Sequence, residues 1–307
     1  MLKRTAVAVC ALLLCSTLTL AAKPGKFYIV GMGSSPDLVT LRGAEIARKA
    51  DLFLLESTDD REVWGKHIGK KPVIYIPHMA RVLYGIDPAT LTDPSKKALA
   101  EKNSAIRQDL VAKVKTAVAA GKTVAYLQWG DPMIFGNLYL LEMLPPEIAT
   151  EIVPGVGAFG AGSSALKRSP VYGWDTNGVI LTMGDWPGRA DTNEKLMAPQ
   201  TSMVFYTMGI NYPEVFAQLA KAYPPETPVA VVSYAGDPRR ETVQRSTVRA
   251  FLKEVDWANL PREMHTLFVG KFLTVGQARK DGVFHGKDHI EANHGNDIPK
   301  PPNKDHK

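Results

Sequence analysis

Residues 27–55, FYIVGMGSSPDLVTLRGAEIARKADLFLL, read as a strand, a glycine turn, a helix and a second strand. Residues 27–30 are a short apolar run with β-branched members, and Gly31 and Gly33 break it. From Leu38 the apolar residues recur at helical spacing through Leu41, Ala44, Ile46 and Ala50, which predicts a helix starting near Leu38. Residues 52–55 return to strand. A strand feeding a glycine turn and a helix presents backbone N–H groups at the carboxyl edge of a parallel sheet, where nucleotide-like ligands bind. A tight βα turn with no ligand satisfies the same pattern when it stands alone.

It does not stand alone. The strand 123–128 (TVAYLQ) runs into WGDPMIFGNLYLLEML, where Gly130, Asp131 and Pro132 form a second glycine turn. The strand 148–153 delivers a third, PGVGAFGAGSSAL, whose Gly and Ala residues let main chain approach a ligand closely. Three such turns after three strands predict one sheet edge and one ligand crevice.

Around these turns, residues 56–71 read as charged and irregular, 72–77 (PVIYIP) as a third strand, and 78–94 as a long loop, either a functional lid or a surface insertion. An amphipathic helix is expected over 95–120, with Ser95 as N-cap and Gly121 as its stop. Residues 167–174 read as a linker. A second domain follows, with strands at 178–183, 202–206, 228–233, 241–245 and 266–272, helices at 213–222 and from Thr247, and a TMG turn at 207–209. It is α/β with more antiparallel character. The expected organisation is therefore a signal peptide at 1–22, an N-terminal α/β domain at 23–170, a C-terminal α/β domain at 171–280, and a polar tail at 281–307.

Composition narrows the function. The chain has 307 residues, enough for two α/β domains of ordinary size. Its formal charge of +6 comes from dispersed Lys and Arg without a long basic block, which argues against nucleic acid as a partner. Lys3 and Arg4, the uncharged apolar run 5–20, and Ala21 and Ala22 have the form of a secretory signal peptide with cleavage near Ala22. The expected location is outside the cytoplasm, in the periplasm, with an uncleaved membrane anchor as the other reading and no stable membrane span in the mature chain. Both cysteines, Cys10 and Cys15, fall within the signal, so the mature chain would carry no disulfide, thiolate metal site or cysteine nucleophile.

With these segments in place the chain resembles the tetrapyrrole (corrin/porphyrin) methylases, which depend on S-adenosylmethionine. The carriers are GMGSSPDLVTLRGAEIARKAD, GDPMIFG at 130–136, VPGVGAFGAGSSAL at 153–166, FYTMG at 205–209 and PVAVVSYAGDPRRETVQRSTV at 228–248. The look is nearest to the precorrin-2 methyltransferase branch. The resemblance implies two α/β domains with the ligand cleft between them, a C-methyltransferase activity, S-adenosylmethionine as cofactor and a tetrapyrrole or corrin precursor as substrate. Carried over by position, the cofactor contacts are Ser34, Ser35, Trp129, Gly130, Asp131, Ile134, Gly157, Ala158, Met208 and Ala235, most of them through the backbone. Met208 is either an apolar wall of the site or ordinary core packing. Methyl transfer asks the protein mainly for alignment and a proton acceptor. Asp37 is the candidate base, its other reading being the N-cap of the helix after it, and Asp131 is more structural. Arg42, Arg81 and Arg168 can meet substrate carboxylates or stand as surface charges.

The chain also departs from the family. Its first loop, GMGSSPDLVT, is one residue shorter than the usual GxGPGDPDLLT, and Asn137 stands where an arginine commonly follows the second motif. Because S-adenosylmethionine is made in the cytoplasm, an exported binding protein that keeps the methylase fold and cleft without catalysis is the alternative. The resemblance further implies a homodimer, to which the aromatic residues Trp174, Trp186 and Tyr212 in loop-like settings would contribute. In the tail, His285, His289 and His294 are spaced either to hold a metal or as incidental solvated residues, and no metal site is expected.

Overall fold

The apolar runs that read as strands assemble into two five-stranded sheets in the computed structural model, which describes residues 25–171 and 178–275. The signal-like segment, Trp174 and the histidine-bearing tail lie outside the described residues. The chain divides into two compact units.

The first unit takes the described residues up to Gly31, then Thr40–Gln128 and Pro132–Pro154. In chain order it contains β1 (Phe27–Gly31), α1 (Leu41–Lys49), β2 (Leu52–Leu55), α2 (Thr58–Val63), α3 (Gly65–Ile68), β3 (Val73–Tyr75), α4 (Pro94–Ala119), β4 (Val124–Gln128), α5 (Tyr139–Met143) and β5 (Thr150–Val153). The strand order is β3-β2-β4-β1-β5, and every pair is parallel. All five residues of β4 are buried, which explains its unbroken apolar sequence, as both faces of a central parallel strand are covered. Phe27, Ile29, Leu54 and Tyr126 from the sheet pack with Leu110 and Val114 of α4 and Leu140 of α5. Truncating a buried leucine such as Leu110 to alanine in such a core costs about 2–5 kcal/mol.

Several local expectations are corrected. The first helix begins at Leu41, because Thr40 caps it by accepting from the Gly43 N–H at 3.0 Å, so Asp37 is not its N-cap. Residues 56–71 are not irregular but form α2 and α3, and Ser57 and Asp60 close a reciprocal capping box. The long helix is capped by Asp93 rather than Ser95, with Pro94 in its first turn. The segment expected as a loop carries two 3-10 turns, His78–Arg81 and Pro88–Thr90. It is tied to α4, where Arg107 donates to the Ala80 carbonyl at 3.0 Å and Asn103 to the Val82 carbonyl at 3.1 Å.

The second unit takes Met32–Val39, Trp129–Asp131 and the described residues from Gly155 onward. It contains α6 (Ala158–Leu166), β6 (Val179–Met183), α7 (Asn193–Met197), β7 (Ser202–Tyr206), α8 (Tyr212–Ala222), β8 (Pro228–Ser233), β9 (Thr242–Thr247), α9 (Phe251–Glu254) and β10 (His265–Val269). Its sheet runs β6-β7-β10-β8-β9, parallel only between β6 and β7, which bears out the antiparallel character expected. Alternation sorts the two faces. Leu267 and Val269 of β10 join α8 and α9 in one core, whereas Phe268 between them joins α6 in the other. Gly162 lets α6 lie against that face, since a Cβ there would sit 2.6 Å from the Phe268 ring.

Tyr212 corrects the interface expectation. It is the first residue of α8 and is only 3% exposed, with its ring stacked on Phe251 at 5.3 Å and on His265 at 5.9 Å. Trp186 remains 52% exposed, with the Arg189 guanidinium 4.9 Å above its ring.

Candidate active site

The strands β4, β1 and β5 are adjacent and parallel, so their carboxyl ends share one sheet edge, as the three glycine turns required. The turns themselves interlock. Gly33 and Gly130 exchange backbone hydrogen bonds, Gly130 N–H to the Gly33 carbonyl at 2.9 Å and Gly33 N–H to the Gly130 carbonyl at 3.3 Å. The third turn joins through Ser34, whose N–H donates to the Val156 carbonyl at 2.9 Å.

Two of these positions demand glycine. Gly33 has φ +81°, and a Cβ there would lie 2.6 Å from the Leu38 carbonyl oxygen. Gly130 has φ +69°, and its nearest neighbour would be the Gly157 Cα at 3.7 Å. Gly157 in turn faces Asp131, whose Cβ would stand 3.2 Å from an added methyl. Gly33 and Gly157 thus let chain segments close on one another, and only Gly130 leaves open space beside the main chain.

Helix α6 starts beside that space. Gly157 is its N-cap and offers no side-chain acceptor, so the first-turn N–H groups from Ala158 onward are not capped by it. Their partial positive charge suits an anionic group. The Tyr206 hydroxyl meets the Phe159 N–H, and its pKa is pushed up to about 12 by burial and by the Asp131 carboxylate nearby, partly offset by that N–H. Tyr206 thus stays a neutral hydroxyl here. Sequence reasoning passed over this residue although it lies inside the quoted FYTMG; its signal was a phenol at the end of a strand that leads into a glycine turn.

The short first loop is held differently from a Pro-Gly turn. Ser34 Oγ donates to the Ala235 carbonyl at 2.8 Å, so the loop after β1 is pinned to the loop after β8. That second loop is braced by Asp237, which accepts from the Arg239 N–H at 2.9 Å and from Arg240 Nε at 2.8 Å. The Arg239 N–H is the first cause, and the Arg240 contacts a further one, that holds the Asp237 carboxyl below its usual range. Ser35 is buried and donates to Asp37 Oδ1 at 2.5 Å, leaving the Asp37 carboxylate exposed at the turn.

Of the residues singled out from sequence, Ser34, Ser35, Asp37, Trp129, Gly130, Asp131, Gly157, Ala158, Met208 and Ala235 all belong to the second unit. Ser34, Gly130, Asp131, Gly157 and Ala235 are linked by the contacts above. Met208 is half-buried just beyond β7, and Ala235 is buried. Ile134 belongs to the first unit. Arg42 and Arg81 are exposed, and Arg168 is half-buried. Among the described residues no three His, Cys, Asp or Glu side chains are grouped to hold a metal ion.

The family model for tetrapyrrole (corrin/porphyrin) methylases matches residues 26–251. The chain belongs to this family. Its relatives include the precorrin-4 C(11)-methyltransferase of Mycobacterium tuberculosis, 28% identical over 255 residues that cover 80% of this chain and 91% of the relative. The uroporphyrinogen-III C-methyltransferase of Cyanidium caldarium is 25% identical over 222 residues, covering 68% of this chain and 79% of that one. These relatives do not single out the precorrin-2 branch. Among solved structures, a cobalt precorrin-4 methyltransferase aligns with a TM-score of 0.64 at 22% identity, over 81% of this chain and 96% of that one. The uroporphyrin-III C-methyltransferase of Thermus thermophilus, complexed with S-adenosyl homocysteine, aligns with a TM-score of 0.59 at 20% identity, over 81% and 99%. The two α/β units are thus the methylase fold.

The residues present fit the family's cofactor. Open space beside the main chain at Gly130, where an added Cβ would meet nothing nearer than the Gly157 Cα at 3.7 Å, leaves room for a nucleoside, and the α6 N-terminus suits the carboxylate of an amino-acid moiety.

Proposed function

We propose that this protein is an S-adenosylmethionine-dependent C-methyltransferase acting on a tetrapyrrole or corrin precursor. The carrying observation is the backbone pairing of Gly33 with Gly130, open beside Gly130 and next to Gly157 at the start of α6, in a chain that belongs to the methylase family. When bound, the cofactor supplies an electrophilic methyl group on a sulfonium. The protein's part is alignment. The paired backbones of Gly33 and Gly130 and the Ser34–Ala235 bond fix the surface before ligand arrives, so little ordering remains to be done on binding. Asp37, exposed and oriented by the Ser35 hydroxyl, is the group that takes the proton released by the methylated ring.

The test is calorimetric titration of the purified protein with S-adenosylmethionine, followed by transfer of a labelled methyl group to uroporphyrinogen III or a precorrin. Absence of binding would overturn the proposal. Export through residues 1–22 and homodimer formation belong to the same reading. Amino-terminal sequencing and sedimentation check them, and a mature chain starting at Met1 or a monomer at every concentration counts against each in turn.

A further inference from the structure

The turn after β6 carries an aromatic side chain that stays in solvent on a buried polar frame. Residues 184–192, GDWPGRADT, connect β6 to α7, and Trp186 among them is 52% exposed. Trp186, Pro187, Gly188 and Arg189 form a tight turn, in which the Arg189 N–H donates to the Trp186 carbonyl at 3.1 Å and Gly188 takes φ +86°. Proline second and a left-handed glycine third is the pattern of a type II turn. The turn brings its two end side chains together, so that the Arg189 guanidinium lies 4.9 Å from the centre of the Trp186 ring.

Arg189 is held from several sides. Its side chain is only 6% exposed, and it donates to Thr182 Oγ1 at 3.0 Å, the Met183 carbonyl at 3.1 Å, Asp185 Oδ1 at 3.3 Å and Asp191 Oδ1 at 2.9 Å. Asn193, fully buried, closes the frame: its N–H donates to Asp185 Oδ1 at 3.0 Å, its Nδ2 to the Met183 carbonyl at 2.9 Å, and its Oδ1 accepts from Thr182 Oγ1 at 2.8 Å. Gln218 of α8 adds a donor to Asp185 Oδ2 at 3.1 Å. The guanidinium is therefore buried beneath the indole, one ring face is taken, and the outer face is what remains in solvent. An aromatic ring held on such a frame loses little freedom when a ligand is laid on it.

The frame stands at the sheet edge where the candidate cofactor contacts lie. Strands β6 and β7 are parallel, with Met183 opposite Tyr206, so both end on the same side. Tyr206 reaches the Phe159 N–H in the first turn of α6, and Met208 follows two residues after it. Gly184 packs on the Met208 turn, where an added Cβ would stand 3.6 Å from the Ile210 Cα and 3.9 Å from the Gly209 carbonyl oxygen. Trp186 comes two residues later, a chain distance of at most about 7 Å. All of these residues belong to the second unit.

We propose that the outer face of Trp186 stacks on a pyrrole ring of the tetrapyrrole. This rests on the tetrapyrrole reading and names a residue that holds the substrate's ring system. A pyrrole is flat and electron-rich, so its face and an indole face, both negative, repel when laid squarely together. The Arg189 charge beneath the indole draws that electron density inward, which makes the outer face a better partner for a pyrrole than a tryptophan without a cation below it. Stacking asks nothing of the ligand's carboxylates, and Arg189 is already committed to four partners. Trp186 is thus a specificity residue for flat aromatic rings rather than the dimer contact that its loop-like sequence setting suggested.

The experiment titrates uroporphyrin III, the stable oxidised macrocycle, into the full chain without S-adenosylmethionine and follows its main absorption band, so the readout does not depend on methyl transfer. Trp186→Leu keeps an apolar cover over Arg189 and should bind the porphyrin about three- to tenfold more weakly than the parent, while Trp186→Phe, which restores a ring, should stay within about twofold. Melting and S-adenosylmethionine affinity should be the same in all three proteins. No porphyrin binding by the parent, equal binding by the leucine variant, or equal loss in both variants would overturn the proposal. Sedimentation separates the other occupant: a dimer that becomes a monomer in Trp186→Leu means that the indole covers a second copy of the chain, and the proposal falls. A parent that binds the porphyrin through Trp186 but does not bind S-adenosylmethionine upholds the stacking face and overturns the methyltransferase reading.

Discussion

Replacing Ser34 with alanine tests how the shortened first loop keeps its shape. The Ser34 hydroxyl donates to the Ala235 carbonyl at 2.8 Å, and Ala235 is only 6% exposed, so truncation removes the bond and leaves a buried acceptor unpaired. A net hydrogen bond is worth about 1 kcal/mol, and a stranded buried acceptor raises the loss to about 1–3 kcal/mol. The Ser34 N–H still holds the Val156 carbonyl, which keeps the expected cost near the lower end, about 1–2 kcal/mol. At about 2–4 °C per kcal/mol for a domain of this size, melting should fall by about 2–8 °C. The same loop carries Gly33, whose backbone pairs with Gly130, so a loosened turn must be reordered when the cofactor binds. An ordering cost near 1 kcal/mol is about a fivefold weaker Kd for S-adenosylmethionine. Thermal melting and calorimetry on the alanine and threonine variants supply the two readouts, and threonine, which retains the donor, should stay near the parent. An alanine variant with unchanged melting and unchanged affinity would refute the claim that this hydroxyl replaces the family's Pro-Gly turn.

Gly130→Asn fills the space above the main chain while tolerating the left-handed backbone at φ +69°, so stability should drop by no more than about 1 kcal/mol while S-adenosylmethionine affinity falls at least tenfold. Equal affinity in calorimetry would place the cofactor elsewhere. His265 is buried beside Tyr212, and burial lowers its pKa below the ordinary 6.5, outweighing the Pro261 carbonyl that accepts from Nδ1. A histidine depressed in the folded state contributes stability that is complete above pH 6.5 and is lost as pH falls from there through the folded value. Urea unfolding between pH 7.5 and 5.5 should therefore show a loss in the parent that is smaller in His265→Phe, and parallel pH dependences would show that the group is not perturbed.

How much of this was legible depended on whether a feature was repeated or singular. The strands of the first sheet were readable because β1, β4 and β5 each end in the same kind of turn, and parallel pairing of all three puts those turns at one edge. Helix starts were less readable. Leu38 fits the apolar period, but the chain from Ser35 to Leu38 is bound as a turn by the Ser35 carbonyl accepting the Leu38 N–H at 2.9 Å, and Thr40 then caps. Local hydrogen bonding overruled periodicity there. Residues 56–71 hid α2 and α3 because a six-residue and a four-residue helix are too short for a period to show. Tyr212 looked like a loop aromatic only because its partners, Phe251 and His265, are distant in sequence.

The same distinction explains why the cofactor surface and the side-chain cluster around Glu56 were unequally visible. The first is made of backbone, so its signal is the glycines themselves, and a family motif records them directly. The second is made of side chains that acquire meaning only together. Glu56 reads as one more charge after a strand, Asn137 as a lost arginine, and Tyr139 as part of an apolar helix. Folding brings Tyr126 and Asn137 onto one oxygen of Glu56 and leaves the other free beside an unpaired buried hydroxyl. The departure from the family at Asn137 gains a physical meaning only in the fold, where Gln128 holds its backbone on both sides and its amide donates to Glu56.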